Sequence, residues 1–478
     1  MSELIVWRDG ARAVLPFEGT PLLCDVLAAG GFDVQRPCGG RGRCGKCAVQ
    51  VTGQVSPPNE EERRLGVRLA CQAVLLGDAE ATLPDSRAME QIETDVEALR
   101  AAMPMDGRIG AAVDIGTTTL AVRRYDLATG ECVGSEGMRN PQTAVAADVM
   151  GRIGAAMDGR LPQLRDQIRG AIRSLAGGAD AMVVTGNTTM LYLLTGRDPK
   201  SLSCAPFEAD CLFDETISMD GARAWLPPCM NAFVGADITC AALASGMCER
   251  SETALLCDVG TNGEIALWKD GTLLVSSTAA GPAFEGAGIS CGVSSVRGAI
   301  DRVWTENGCV CAHTIGDAPA VGVCGSGLID AVAAFLDTEQ IDETGAMEDD
   351  ALPLAGGVAL IRADVRAVQL AKAAIAAGIL TLLETAGVSE DEVAAVYIAG
   401  GFGSHLNVDS AARIGLIPPA LAKRVKVLGN AALTGAARLL LDRREHERAR
   451  EIARCARHVA LGGNPRFNER YMDQMFFE

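Results

Sequence analysis

The chain has 478 residues, 48% of them apolar and 22% charged, which allows two to four domains with sizeable cores and excludes a disordered majority. A formal net charge of −18 repels phosphate backbones and excludes nucleic acid as a partner. Seventeen cysteines against four histidines point to reduced thiols or sulfur-based metal ligation and away from a histidine-based zinc site.

The opening "MSELIVWRDG" has no basic start and no long apolar run, so no secretory leader and a cytoplasmic location are expected. "LIVW" (Leu4–Trp7) and "AVLPF" (Ala13–Phe17) read as two strands around an Asp9-Gly10 turn. Thr20 as N-cap, Pro21 at the first helical position and Gly30 as a stop predict a helix over Pro21–Ala29. "AVQV" (Ala48–Val51) and "AEATL" (Ala79–Leu83) supply further strands. Strand, hairpin, strand, helix, loop, strand is the order of a β-grasp domain, assigned to residues 1–84.

Within it, "CGGRGRCGKC" (Cys38–Cys47) packs three cysteines and four glycines into ten residues, and Cys71 follows Cys47 after 23 intervening residues. Three thiolates from one tight loop and a fourth from a distant turn suit a 2Fe-2S cluster. Gly39, Gly40, Gly42 and Gly45 free the backbone to aim N–H groups at sulfur, and Arg36, Arg41, Arg43 and Lys46 offset the cluster's negative charge or form a docking patch for a donor. Zinc is the alternative for four cysteines, although zinc ribbons usually show two CxxC knuckles and only Cys44–Cys47 makes one. The segment resembles the 2Fe-2S ferredoxins with five residues between the first two ligands, and that resemblance implies Cys38, Cys44, Cys47 and Cys71 as ligands.

Residues 85–107 read as a helical linker, with Met89, Ile92, Val96 and Leu99 at helical spacing and a stop at Pro104 and Gly107. It is either a spacer or a helix packed on a neighbour.

From residue 108 to 478 the pattern is α/β with an internal echo, in two lobes of roughly 108–250 and 251–478. "AAVDIGTTTLAV" (Ala111–Val122) is matched by "LLCDVGTNGEIAL" (Leu255–Leu267): an apolar strand, then Asp-x-Gly-Thr, then a second strand. Such a turn cradles phosphate, because its glycine lets backbone N–H groups approach and its threonines add hydroxyls, while the aspartate holds Mg²⁺ or its waters. The two turns resemble the phosphate loops of the actin, sugar kinase and heat-shock chaperone ATPase superfamily. "VGADITCAALASGM" (Val234–Met247) and "GNAALTGAARLL" (Gly429–Leu440) resemble its connecting helices, and "AVYIAGGFGSHL" (Ala395–Leu406) its adenosine motif. The implied fold is a duplicated ribonuclease H-like ATPase with two lobes and a central cleft. The implied ligands are ATP and Mg²⁺, held by Asp114, Gly116, Thr117 and Thr118, by Asp258, Gly260, Thr261, Asn262 and Gly263, and by Gly400, Gly401 and Phe402. Glu264 and Glu285 are candidates to orient an attacking water. In the most apolar helix-like run, Val368 to Leu383, Lys372 and the short length argue against a membrane span.

A 2Fe-2S domain joined to such an ATPase resembles the reductive activators of corrinoid proteins. "NPQTAVAADVMGRI" (Asn140–Ile153), "TGNTTM" (Thr185–Met190), "GPAFEGAGISCG" (Gly281–Gly292), "CGSGLID" (Cys324–Asp330) and "FNERYMDQMFF" (Phe467–Phe477) match that family as well. The resemblance implies ATP-dependent reduction of a Co(II) corrinoid to Co(I), a corrinoid protein of a methyltransferase system as partner, and an upstream reductase or ferredoxin as donor. A homodimer is open, because the extra domain that some members carry before the ATPase part has no room here. A small-molecule kinase with a redox-sensing ferredoxin domain, or an activator of another radical enzyme, are the competing expectations. Cys309, Cys311, Cys291 and Cys324 are read as buried thiols, with a redox-active or metal-binding set as the alternative, and His405 as a turn residue, with a ribose contact as the alternative.

Overall fold

The computed structural model describes residues 2–8, 11–32, 34, 42, 47–65, 68–83, 99, 101–401 and 406–477, with the side chains of residues 61, 64 and 65 outside the description. Five strands of the N-terminal part lie in the order Ala11–Phe17, Ser2–Arg8, Leu75–Thr82, Ala48–Val55, Arg68–Leu69. The first two pair antiparallel and Ser2–Arg8 runs parallel to Leu75–Thr82, which is the β-grasp arrangement. Leu75–Thr82 alternates buried and exposed residues, as a half-buried strand must. Leu4, Val6, Leu23, Leu27, Leu69 and Leu75 form the core, and Cys47 and Cys71 belong to it.

The helix spans Leu23–Ala29, two residues shorter than its caps predict. Leu75 N–H donates to Pro21 O at 2.9 Å, and Leu22 bridges Val74, so tertiary pairing holds these two residues extended. A helix over Glu60–Leu65 and the strand Arg68–Leu69 carry no apolar periodicity and escape a pattern reading. Asp9-Gly10 and most of the predicted linker helix lie outside the described residues. The linker's far end runs along the helix Ala431–Leu441: Ala102 and Met103 N–H donate to Leu441 O, and Met105 is buried.

The rest builds on two six-stranded sheets that share a five-strand core topology, with the sixth strand, Glu215–Met219 in one and Ala456–His458 in the other, added at opposite edges. In the first, Ile109–Ile115 pairs antiparallel with Thr119–Asp126, which pairs with Cys132–Arg139, while its other side runs parallel to Ala181–Gly186. In the second, Thr253–Val259 stands in the same relation to Gly263–Lys269, Thr272–Thr278 and Val393–Ala399. The helices Ala236–Ser245 and Ala431–Leu441 are apolar nearly all round and lie between the sheets. One core joins them to Ala112, Tyr125 and Val183 of the first lobe and Leu256, Ala266 and Tyr397 of the second, and each lobe has a further core of its own.

The apolar run read over Val368–Leu383 lies in a longer helix, Arg362–Ala386, of 25 residues. Its length and apolarity would suffice to cross a membrane, but 78% of its apolar window is buried inside the protein. Lys372 is fully buried: its ammonium donates to Phe476 O and lies 5.5 Å from the Phe477 ring centroid. The charge that argued against a bilayer pins the C-terminal tail to the second lobe.

Candidate nucleotide cleft and thiol pair

Both Asp-x-Gly-Thr turns open onto one cavity of about 240 Å³ between the lobes. Each turn is the tip of a tight antiparallel hairpin, with Asp114 opposite Ala121 and Asp258 opposite Glu264. A side chain at Gly116 would lie 2.7 Å from Thr119 O, so only glycine lets the first turn close this tightly. Gly400, at φ 113°, approaches Val259 O as closely, and it lines the cavity with Gly401. Phe402 and His405 fall outside the described residues. The structure brings together every other sequence-named nucleotide residue except Gly263, whose added side chain would meet Thr278 and Ile375 rather than open space.

The family-like segments with no assigned role brace the first turn. Asn140 Nδ2 donates to Gly116 O at 2.8 Å, and Asn140 N–H to Thr118 O at 2.8 Å. Arg152, fully buried, donates to Thr117 O at 2.5 Å and Ala146 O at 3.1 Å. Asn187 caps the helix Thr188–Thr195 and donates to Thr117 Oγ1 at 3.3 Å. "GPAFEG" forms a short 3-10 helix, Pro282–Glu285, that delivers the Glu285 carboxylate to both turns. Thr118 Oγ1 donates to Glu285 Oε2 at 2.5 Å, and Thr261 Oγ1 to Oε1 at 2.8 Å.

The cavity is acidic beyond the two predicted aspartates. Asp237, in the first turn of Ala236–Ser245, joins Asp114, Asp258, Glu264 and Glu285. Burial pushes Asp114 up to about 6, where the Asn430 amide, donating at 2.9 Å, partly opposes it. Burial and the neighbouring Asp114 and Glu285 charges push Asp258 up to about 7. Burial, then Asp258 and Asp114, push Asp237 up to about 8, and burial holds Glu264 well above the usual carboxylate range. Among the described residues no three of these acids are grouped so as to ligate one metal ion between them, so the crowded, desolvated carboxylates fit a hard divalent cation held through its waters and not a cage of carboxylates. Asp237 and Asn430 lie inside segments that sequence reading recognised, yet nothing in their spacing marks them, because they enter the site through helices that pack across the lobes.

In the β-grasp domain Cys47 Sγ and Cys71 Sγ are buried and 3.2 Å apart, well beyond an S–S bond. The hydrogen bond from Cys47 pushes the Cys71 thiol down to about 6, toward the thiolate that metal ligation needs. The turn before Cys71 is fixed by Glu62, which accepts from Leu69 N–H at 2.8 Å and Asn59 N–H at 2.9 Å. Two convergent thiols, with the proton affinity of Cys71 lowered, fit an iron–sulfur cluster, and the other two sequence-named ligands, Cys38 and Cys44, fall outside the described residues. Among the remaining thiols, Cys324 is buried as expected. Cys309 is exposed and Cys311 half-buried, because both lie on the hairpin Ala299–Glu306/Cys309–Thr314, where Val310 and Ala312 pack against the core instead, while Cys291 is half-buried and packs against the same core.

Three family models match in succession: a 2Fe-2S iron-sulfur cluster binding domain over residues 8–76, the RACo middle region over 109–250, and the C-terminal domain of RACo, the ASKHA domain, over 252–478. The chain is 30% identical to the corrinoid activation enzyme RamQ of Eubacterium limosum, covering 95% of this chain and 96% of that protein. That alignment runs over 583 positions, so the relative carries stretches that this chain lacks. A [Co(II) methylated amine-specific corrinoid protein] reductase of Methanosarcina barkeri is 25% identical over 77% of each chain. The solved structure of a reductive activator for a corrinoid, iron-sulfur protein superposes with a TM-score of 0.72 at 26% identity, covering 99% of this chain and 98% of the other. With a ferredoxin-like domain followed by an actin-like ATPase, and a full-length match on top of them, the chain belongs to the RACo family, the reductive activators of corrinoid proteins.

Proposed function

We propose that this chain is the ATP-driven reductase of a corrinoid protein, passing one electron to Co(II) and regenerating the Co(I) that methyl transfer requires. One observation carries the reading: a single polypeptide holds a convergent thiol pair on a β-grasp core and a cleft between two matched phosphate-type turns. Residues 1–84 are the electron-carrying domain, 85–107 the linker, and 108–478 the ATPase. Cys38, Cys44, Cys47 and Cys71 would hold the 2Fe-2S cluster, which when bound supplies one-electron transfer at a low potential, about −400 mV in plant-type ferredoxins.

The chain's own residues do the rest. Asp114, Asp237 and Asp258 would hold Mg²⁺ through its waters. The backbone N–H groups and hydroxyls of Gly116–Thr118 and Gly260–Asn262 take the phosphates, while Arg152 fixes the first turn from behind. Gly400 and Gly401 leave room for the nucleoside, and Glu264 or Glu285 orients water. Closure of the lobes over nucleotide selects the docking mode in which the corrinoid is reducible, and hydrolysis releases it, which requires different nucleotide affinities in the two states. An uphill one-electron step costs about 1.4 kcal/mol per ~59 mV, so a gap of a few hundred millivolts lies within reach of nucleotide-coupled work. The electron donor is a reductase or ferredoxin, the setting is the cytoplasm, and a homodimer is compatible with the fold.

The test follows the loss of Co(II) corrinoid absorbance in a methyltransferase-system corrinoid protein, with and without ATP. Asp258→Ala is expected to abolish activation and keep the 2Fe-2S spectrum. Cys71→Ser is expected to lose the spectrum and keep nucleotide binding. Co(I) forming equally well without ATP would refute the coupling.

A further inference from the structure

The two phosphate turns meet at a carboxylate. Thr118 belongs to the first lobe; Thr261 and Glu285 belong to the second. The hydroxyls of Thr118 and Thr261 lie 3.5 Å apart, and both are engaged by the two oxygens of Glu285. Charge-assisted hydrogen bonds of this kind are the strong ones, and these two tie one lobe to the other across the cleft.

The backbone that carries Glu285 is firmly held. Ala283 and Phe284 are buried on either side of the peptide that precedes it. Gly281 N–H donates to Thr261 O at 2.9 Å, joining the short helix to the second turn. Gly286, at φ 73°, ends it where any side chain would lie 2.7 Å from Val293 O. The first turn cannot retreat either, because Arg152, Asn140 and Asn187 fix its backbone and the hydroxyl of Thr117 from behind. The half-buried Glu285 side chain is the part left to move.

A carboxylate that accepts from two hydroxyls offers them what a phosphate oxygen offers: a full negative charge and lone pairs at hydrogen-bond distance. Both anions cannot hold the same two donors at once. The cleft's other acids, Asp114, Asp237, Asp258 and Glu264, make a second anion there less tolerable still.

We propose that Glu285 is a built-in phosphate surrogate: it latches Thr118 to Thr261 across the cleft, and a phosphate of the incoming nucleotide displaces it and takes over both hydroxyls. Glu285 is thus a positioning residue that sets how strongly the phosphate part of the ligand, as opposed to its nucleoside, is bound. The inference rests on the cleft being a nucleotide site, as proposed above.

The test titrates the full chain, its cluster reconstituted, with Mg²⁺ and a non-hydrolysable ATP analogue, and separately with adenosine, by calorimetry. Glu285→Ala is expected to bind the triphosphate about tenfold more tightly and adenosine unchanged, because only the phosphates compete with the latch. Glu285→Gln keeps the shape, weakens the hold on the hydroxyls and is expected to fall between Ala and wild type, which guards against a misfolded alanine variant. Unchanged or weaker triphosphate binding by both variants, or an equal gain for adenosine, overturns the latch alone. A wild-type chain that binds no adenine nucleotide overturns both the latch and the reading of the cleft.

Discussion

Arg152 has the most unusual setting of any charged residue in the first lobe. Its side chain is fully buried, and among the described residues it forms no ion pair. Burial lowers its proton affinity, yet at about 10 it is still a cation at neutral pH. Its donors go to Thr117 O, Ala146 O and Gln142 Oε1, neutral acceptors that orient the guanidinium without neutralising it. Asp148 and Glu285 act on it only from beyond ion-pair distance, a buried charge held so loosely is costly, and a polyphosphate on the other side of the turn would compensate it further. Arg152→Met would leave Thr117 O without its donor, a loss of about 1–3 kcal/mol, and remove the positive potential behind the phosphates. The expected outcome is a lower melting temperature and triphosphate affinity reduced about tenfold, with Arg152→Lys partly restoring affinity. Calorimetric titration of the folded variants checks it, and unchanged affinity would reduce Arg152 to a scaffold residue. At this scale the sequence made the acids of the two turns legible, because Asp-x-Gly-Thr is a local geometry with a local motif. Arg152, Asn140, Asp237 and Asn430 were not legible as site residues, because each reaches the cleft from a different helix or loop and acts only once the chain has folded.

Among the elements, the two connecting helices carry the most consequence. Ala236–Ser245 and Ala431–Leu441 cross so closely that an added side chain at Gly435 would sit 2.0 Å from Cys240 O, with no flexible atom to yield. The helices also bring Asp237 and Asn430 to the cleft, so their spacing sets the site's geometry. Gly435→Ala gains helix propensity but must push the pair apart, and overpacking of this kind costs about 1–3 kcal/mol. The expected outcome is a drop of several degrees in the melting transition of the ATPase part together with weakened nucleotide binding, while the 2Fe-2S spectrum of the β-grasp domain is unchanged. A variant that melts like wild type would mean the helices can separate freely. Sequence pattern found both helices and both hairpins, since their apolar runs are long and their turns specific. It missed Glu60–Leu65, whose sequence EEERRL holds one apolar residue, and it read only the apolar middle of Arg362–Ala386, whose first turn is charged. The helix start at Leu23 instead of Pro21 has a tertiary origin: a strand partner outcompetes a local cap.

At the scale of the whole molecule, the cleft links folding, protons and the divalent cation. Asp258 and Asp237 hold their protons up to about 7 and about 8 in the folded chain, against an ordinary aspartate near 3.9 in the unfolded chain. Between those limits the folded chain binds more protons than the unfolded one, so this cluster lowers stability as pH rises. His446 and His458 act in the opposite sense, since burial lowers both, but their contribution fades above about pH 6.5 as the unfolded imidazoles lose their own protons. The informative window is therefore pH 6.5 to 8. There the melting temperature of the nucleotide-free ATPase part is expected to fall as pH rises. A bound Mg²⁺-nucleotide supplies the charge that the protons supplied, so its stabilising shift is expected to be larger at pH 8 than at pH 6.5, with protons released on binding. Asp237→Asn, which removes the group with the highest proton affinity of the three aspartates, is expected to flatten the nucleotide-free profile and shrink the proton release. Scanning calorimetry across that window, with the titration repeated in buffers of different ionisation enthalpy, measures both quantities on one preparation. A nucleotide-free profile that rises from pH 6.5 to 8, or a variant as steep as wild type, would place the dominant titration elsewhere and leave the acidic cleft without the cation site assigned to it.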